Sequence, residues 1–411
     1  MTATALQQEE HLPEAIVCKW CGKSYHYLKS HISMGRCENI PESAKGLDVD
    51  EVVKMYTTAF PDEPTISRTA LAKLNEKRAE KHSGEGKVAE ISAHPGYAGT
   101  VEYKTELVAA HELLGVTIKE LGTPRGKPLQ VTVNVNTPYP EFVPEAKKNY
   151  VYGDFDLIKD IFMMLEIGIP GYLWGHAGTG KSSLPTQLCA LLNRPLIRAQ
   201  HTASMEEAHV TGQILARDGS TYFEPGLLAL AMKNGWVYLA DEYDFAFPQI
   251  LGVYQPVLEG EPLIIKEATP DWRRITPHKR FAFIGTGNTN GSGDETGLYQ
   301  GTNIQNAANF SRFGIVSNVK YMSTKAEVNM LAEAGVIREY AEKMVKFANL
   351  VREGYEQHLI SQPIGPRELL LSAKIGMMRG DFSAGIEKSF INKLPSTSAQ
   401  AAREVVQKIF G

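Results

Sequence analysis

The chain has 411 residues, a formal net charge of −4, 43% apolar residues and four cysteines. This length accommodates two or three domains, and the near-balanced charge demands neither a nucleic-acid nor a membrane partner. No stretch reaches the ~18 consecutive apolar residues of a spanning helix and no secretory signal pattern opens the chain, so a cytoplasmic protein without a membrane partner is the expectation.

In chain order, residues 1–40 carry Cys18, Cys21, His31 and Cys37 in the spacing C-x₂-C-x₉-H-x₅-C. Zinc takes four soft or borderline ligands in a tetrahedron, and so short a segment hardly folds without one. Gly22 permits a tight knuckle, and Tyr25 and Leu28 offer a miniature core. His26 competes with His31 as the imidazole ligand; Leu28, three residues before His31, favours His31. The segment resembles a short prokaryotic zinc finger of the Ros/MucR kind, with Cys37 where a second His usually stands. A finger of that kind makes nucleic acid a candidate partner.

Residues 41–145 read as a mixed linker region. Leu71 and Leu74 fall at helical spacing among Lys73, Lys77, Arg78 and Lys81; His82–Gly86 reads as a linker; Gln130–Val135 has a strand pattern. Residues 146–322 alternate between strand and helix, with strands expected at 172–174, 195–199, 236–240, 281–285 and 314–317. That alternation predicts an α/β core with a parallel sheet. Two hairpins are expected as insertions, one over 213–222 and a basic one over 263–276 with Arg273, Arg274, Lys279 and Arg280 in or near it. Residues 323–411 form amphipathic helices, a C-terminal helical lid.

The chemistry gathers around Gly175-His176-Ala177-Gly178-Thr179-Gly180-Lys181-Ser182, which follows the apolar Tyr172-Leu173-Trp174 and precedes a helix from Ser183. This is a P-loop in its strand–loop–helix context: backbone N–H groups and the helix N-terminus cradle phosphates, Lys181 reaches the β/γ-phosphates and Ser182 binds Mg²⁺. The run Trp236–Ala240 ends in Asp241 and Glu242, a buried strand delivering carboxylates to its C-terminal edge. Asp241 is expected on the Mg²⁺ water shell, and Glu242 as the base that orients or deprotonates the attacking water. Asn288, at the tip of strand 281–285, is placed to hold that water. Arg312, ahead of Ile315-Val316, fits an arginine finger serving a neighbouring subunit. Arg367, at a helix start in the lid, is a candidate sensor of the γ-phosphate. Together these residues predict hydrolysis of MgATP.

Asp241-Glu242-Tyr243-Asp244, Val257-Leu258-Glu259, Pro277-His278 and above all the glycine-rich block Gly287–Thr302 resemble the CobS-type ATPase subunit of aerobic cobaltochelatase, a MoxR-related member of the helix-2-insert branch of AAA+ proteins. The likeness runs from about Val143 to the C-terminus and includes Phe390–Lys393 and Phe410-Gly411. Phe313 replaces the family's usual Trp, and the zinc finger with residues 41–140 replaces its N-terminal region. The resemblance implies a AAA+ homo-hexamer that remodels a partner complex. Its partners would be a protein with a von Willebrand A (vWA) domain, CobT-like, and a large chelatase subunit that inserts the metal. The alternative is a nucleic-acid-associated AAA+ motor guided by the zinc finger.

Overall fold

The computed structural model describes residues 13–34, 36–45, 47–61, 63–70, 101–217 and 219–411. The chain divides into two units, Met1–Pro95 and Gly96–Gly411. In the first, β1 (Ile16–Val17) and β2 (Ser24–Tyr25) pair antiparallel. Their turn is closed by the Gly22 N–H donating to the Cys18 carbonyl at 2.8 Å, with Gly22 at φ 70°. Then come α1 (Leu28–Ser33) and α2 (Val49–Ala59), the latter capped by the Asp48 carboxylate, which accepts from the Asp50 N–H.

Val52 and Tyr56, one turn apart on α2, pack with Ile16, Tyr25 and Leu28 into a small core. The chain returns across α1, the Leu28 N–H donating to the Thr65 carbonyl at 2.8 Å and the Ser67 N–H to the His26 carbonyl at 2.8 Å. The folded surroundings of the cysteines therefore run past residue 40. Burying a Leu or Phe-sized side chain stabilises by about 1.5–3 kcal/mol, so the nine buried residues of this cluster among the described residues make a weak core. The helix expected around Leu71 and Leu74, and the linker His82–Gly86, lie outside the described residues.

The second unit opens with the antiparallel pair β3 (Thr105–Ala109) and β4 (Gln130–Asn134). The α/β alternation follows: α3 (Phe155–Ile167), β5 (Gly171–Trp174), α4 (Ser183–Leu191), β6 (Leu196–Gln200) and α5 (Glu207–Thr211). A hairpin of β7 (Gly212–Arg217) and β8 (Ser220–Pro225) separates α5 from α6 (Leu227–Asn234), so the first expected insertion does interrupt a helical segment; Asp218, at its tip, is outside the described residues. Then come β9 (Val237–Asp241), the two-residue strands β10 (Leu263–Ile264) and β11 (Arg274–Ile275), β12 (Ala282–Gly287) and β13 (Ile315–Asn318). The second insertion is less of a hairpin than its sequence implies, because a short helix, Pro270–Arg273, fills it. Of its basic residues Arg273, Arg274 and Lys279 are exposed, whereas the Arg280 guanidinium is half-buried over the Tyr103 ring at 5.7 Å.

Five strands form one parallel sheet in the order β13-β5-β12-β9-β6. Its strands read as continuous apolar runs because both faces are covered. Tyr172, Tyr238, Ala240 and Phe283 pack on one face, Leu173, Val237, Leu239 and Ile284 on the other. α3 covers the second face with Ile158, Ile161, Phe162 and Leu165; the Asp154 side chain caps its start and Gly168, at φ 74°, ends it. The lid comprises α7 (Thr324–Glu333), α8 (Arg338–Glu356), α9 (Pro366–Arg379), α10 (Phe382–Ser389) and α11 (Ser396–Phe410), with a core of its own built on Leu331, Met344, Phe347, Leu369 and Ile386. Among the described residues no helix is long and apolar enough to cross a membrane.

Candidate functional site

Strand order decides which side chains meet. β12 lies between β5 and β9, so the residue leaving β12 emerges between the P-loop, which follows β5, and the acids that end β9. That residue is Asn288. Its Oδ1 accepts from Lys181 Nζ at 3.0 Å and its Nδ2 donates to Glu242 Oε2 at 2.8 Å. Lys181 Nζ also donates to the carbonyls of Gly175 at 2.8 Å and His176 at 3.0 Å, which directs the buried ammonium into the loop. Burial pushes the Lys181 pKa down to about 8, against the upward pull of Glu242, Asp244 and Asp241. An anionic ligand in the loop would raise it again.

Asp241, 1% exposed, accepts on Oδ1 from Ser182 Oγ at 2.5 Å and Thr286 Oγ1 at 2.5 Å, and on Oδ2 from Arg198 Nε at 2.6 Å. Burial pushes this carboxyl up, but the hydrogen bonds from Ser182 and Thr286 and the Arg198 charge more than offset it, and Asp241 ends below the ordinary range. Glu242 goes the other way, raised by burial although Lys181 opposes the shift. A carboxylate of raised pKa is the better proton acceptor. Glu242 has φ 55°, a left-handed conformation that costs a non-glycine residue about 1–3 kcal/mol and turns both acids toward the P-loop.

Asn288 is fixed from behind by Asp244, fully buried, whose Oδ2 accepts from the N–H groups of Asn288 at 2.8 Å and Thr289 at 2.9 Å. Gly287 is required here: a Cβ would come within 2.8 Å of Asp244 Cγ. A cavity of about 740 Å³ opens over these groups and is lined by Gly178–Ser183, Asp241, Glu242, Asn288 and Arg367. Arg367 presents an exposed side chain from the first turn of α9. Gly365 lets that helix start against the P-loop, since a Cβ there would come within 2.7 Å of the Ala177 carbonyl oxygen. Arg312 is not in the cavity wall. Its Nε donates to Glu259 Oε1 at 2.7 Å and its Nη1 to the Ala308 carbonyl.

The residues fit MgATP on chemical grounds. The glycines of the loop, at φ 145°, 80° and 104° for Gly175, Gly178 and Gly180, leave its backbone free to turn inward. Ser182 and Asp241 pair a hydroxyl and a carboxylate, the oxygen donors Mg²⁺ takes.

In the first unit, one ligand atom from each of Cys18, Cys21, His31 and Cys37 lies within 4.8 Å of the others. Cys18 Sγ and Cys37 Sγ stand 3.8 Å apart and Cys21 Sγ is 3.3 Å from His31 Nε2. A tetrahedral centre with bonds of about 2.3 Å sets sulfur atoms about 3.8 Å apart, far beyond a disulfide bond. The four groups therefore fit zinc. His26 is engaged elsewhere, its Nδ1 3.0 Å from Ser67 Oγ and 3.2 Å from Thr69 Oγ1.

Residues 172–302 match the AAA domain, dynein-related subfamily. The aerobic cobaltochelatase subunit CobS of a Sinorhizobium species is 32% identical over 249 residues, covering 58% of this chain and 74% of that protein. The chain belongs to the CobS family. It is accordingly a AAA+ ATPase. An uncharacterised Staphylococcus aureus protein is 23% identical over 62% of this chain and 96% of its own length. Among solved structures, the Thermotoga maritima RuvB Holliday junction branch migration motor aligns with 65% of this chain and 72% of its own at a TM-score of 0.38 and 13% identity.

Sequence reasoning missed part of this CobS-family site. Arg198, beside Asp241, is the middle residue of β6, a strand that carries no motif, so only the parallel pairing of β6 with β9 in the sheet reveals it. The apolar end of the cavity is built from Val151 before the core and Met322, Met330 and Leu370 around the lid. Those four suit a purine face, but they are scattered along the chain and meet only in the fold.

Proposed function

We propose that this chain is the MgATP-driven ring ATPase of a complex that remodels a partner protein, as a homo-hexamer. The reading rests above all on Arg312. It is a well-tethered arginine next to the core yet outside the cavity of its own chain, where a finger serving a neighbouring subunit belongs. Within one chain, Lys181 would bind phosphate oxygens, Ser182 and Asp241 would hold the Mg²⁺ ion, and Asn288 fixes Glu242 so that its free carboxylate oxygen can take a proton from water. Bound MgATP supplies the phosphoryl group and the energy of its transfer.

The finer reading takes the partners from the relative. CobS is named as a subunit of aerobic cobaltochelatase, and we place this chain with a vWA-domain, CobT-like protein and a large chelatase subunit, or in an analogous ATPase–vWA pair. Zinc at Cys18, Cys21, His31 and Cys37 would hold the first unit together and present a docking module. A cytoplasmic setting suits the free cysteines, including buried Cys189.

The test is subunit mixing. Arg312→Ala and Glu242→Gln chains are each expected to be nearly inactive alone. Mixed, they should regain activity, because an intact Glu242 site then meets an intact Arg312 from its neighbour. No regain at any ratio would remove the ring reading. Capture on Glu242→Gln chains with MgATP identifies the partner: a vWA protein with a large chelatase subunit supports metal insertion, a vWA protein alone an analogous pair, and nuclease-sensitive capture the nucleic-acid motor.

A further inference from the structure

The glycine-rich block Gly287–Thr302 does not stop at Asn288. At one end the Asn288 and Thr289 N–H groups and the Thr289 hydroxyl all donate to Asp244 Oδ2. The Tyr172 hydroxyl donates to the Thr289 carbonyl at 3.1 Å. Just past the other end, the Asn303 N–H donates to the Asp244 carbonyl at 2.7 Å, and Asn303 Nδ2 to the Phe245 carbonyl at 3.2 Å. The block is thus a loop closed on one turn of chain, the turn directly after Asp241 and Glu242.

Its middle reaches the P-loop. The Asp294 carboxylate accepts from the Thr296 N–H at 2.9 Å and the Tyr299 N–H at 2.8 Å, which folds the segment and aims Tyr299. The Tyr299 hydroxyl accepts from the Ala177 N–H at 3.1 Å and lies 2.9 Å from His176 Nδ1. With His176 assigned as the neutral Nε2–H tautomer, the hydroxyl donates its own proton to Nδ1 while it accepts from Ala177. Burial first, and then the Lys181 charge, lowers the His176 pKa and keeps that ring neutral. The imidazole in turn stacks on Tyr321, centroids 5.8 Å apart and planes 3° from parallel, and meets the edge of Tyr355 on α8. Tyr321 lies under the Arg352 guanidinium at 3.9 Å. Arg352 is itself fixed by two bonds of 2.8 Å to buried Glu327 and by one of 3.0 Å to the Ile364 carbonyl, at the start of α9.

We propose that Tyr299 is a positioning residue of the ATPase: the glycine-rich block is a strap, pinned behind the catalytic acids by Asp244, whose tyrosine hydroxyl holds the His176–Ala177 peptide of the P-loop in phosphate-binding form and couples it to the lid through His176. Beyond Asn288 the strap contributes nothing to the cavity wall. It fixes the loop before nucleotide arrives, so its contribution is to ground-state and transition-state binding alike.

Tyr299→Phe keeps the ring and removes only the hydroxyl. Losing one such bond is worth about five- to tenfold in binding, so the Kd for a fluorescent ATP analogue and the KM for ATP should rise by that factor while kcat stays within about twofold. His176→Ala should give the same loss. His176→Asn, whose Oδ1 can take the place of Nδ1 as acceptor, should restore most of it. The double variant Tyr299→Phe/His176→Ala should be no worse than either single change. Wild-type affinity in Tyr299→Phe overturns the proposal. So does a loss in kcat alone, or equal losses in His176→Asn and His176→Ala.

Discussion

The ATPase site and the cysteine cluster hold their side chains by opposite means. The ATPase site collects the ends of three strands, Lys181, Asp241 and Asn288 lying up to 107 residues apart yet hydrogen-bonded through one network. Two apolar layers, one on each face of the sheet, set its geometry before any ligand binds. The cluster spans Cys18 to Cys37, 19 residues apart, and rests on a core of nine buried residues. One site is placed by a fold that stands without its ligand. The other is expected to need a metal to keep its fold.

The largest expected difference is therefore the response to metal removal. A strong chelator, or Cys18→Ser, should make residues 13–70 protease-sensitive while residues 101–411 stay resistant, because structural zinc contributes on the order of 10 kcal/mol to so small a unit. Resistance of the first unit after confirmed zinc loss would erase the distinction. The converse perturbation is Lys181→Ala: ATP binding should fall below detection in a titration with the fluorescent analogue, and the melting temperature of the nucleotide-free protein should change by no more than a few degrees. Glu242→Gln comes next, with kcat reduced about 10²–10³-fold and ATP affinity retained, since it removes a general base and not a binding group.

The smallest effect is a pH slope. Buried His201, hydrogen-bonded to Tyr254 at 2.8 Å, is pushed down to about 4 by burial from an ordinary value of 6.5. The unfolded chain binds its proton first, so stability is full above pH 6.5 and is lost as pH falls through the window to 4, by about 3 kcal/mol at most. Denaturation of wild type against His201→Gln at pH 7 and pH 4.5 reads this directly: the gap should move toward the variant as pH falls.

How much of this was legible in the sequence follows the same division. The cluster could be read from spacing alone, and the structure brings together Cys18, Cys21, His31 and Cys37 while turning His26 to Ser67. The core strands could be read because doubly buried strands are apolar throughout: expected 236–240 against observed Val237–Asp241, for example. Asn288 was visible as a polar residue at a strand tip. Arg198 and the apolar wall from Val151, Met322, Met330 and Leu370 were not, because each becomes part of the site only through a neighbour supplied by the tertiary fold. Tyr299 was visible as part of a distinctive block, but its role depends on where the strap lands. The extension of the first unit past residue 40 was hidden for a related reason: Val52 and Tyr56 show only helical spacing, and nothing local says that their face covers the cysteines.

The most direct test of the account is single-turnover hydrolysis of ATP by wild type and Glu242→Gln at matched nucleotide occupancy. The account predicts equal occupancy and a rate lower by about 10²–10³-fold in the variant. Equal rates would mean that the carboxylate held by Asn288 is not the base, and that the chemistry of this chain lies elsewhere.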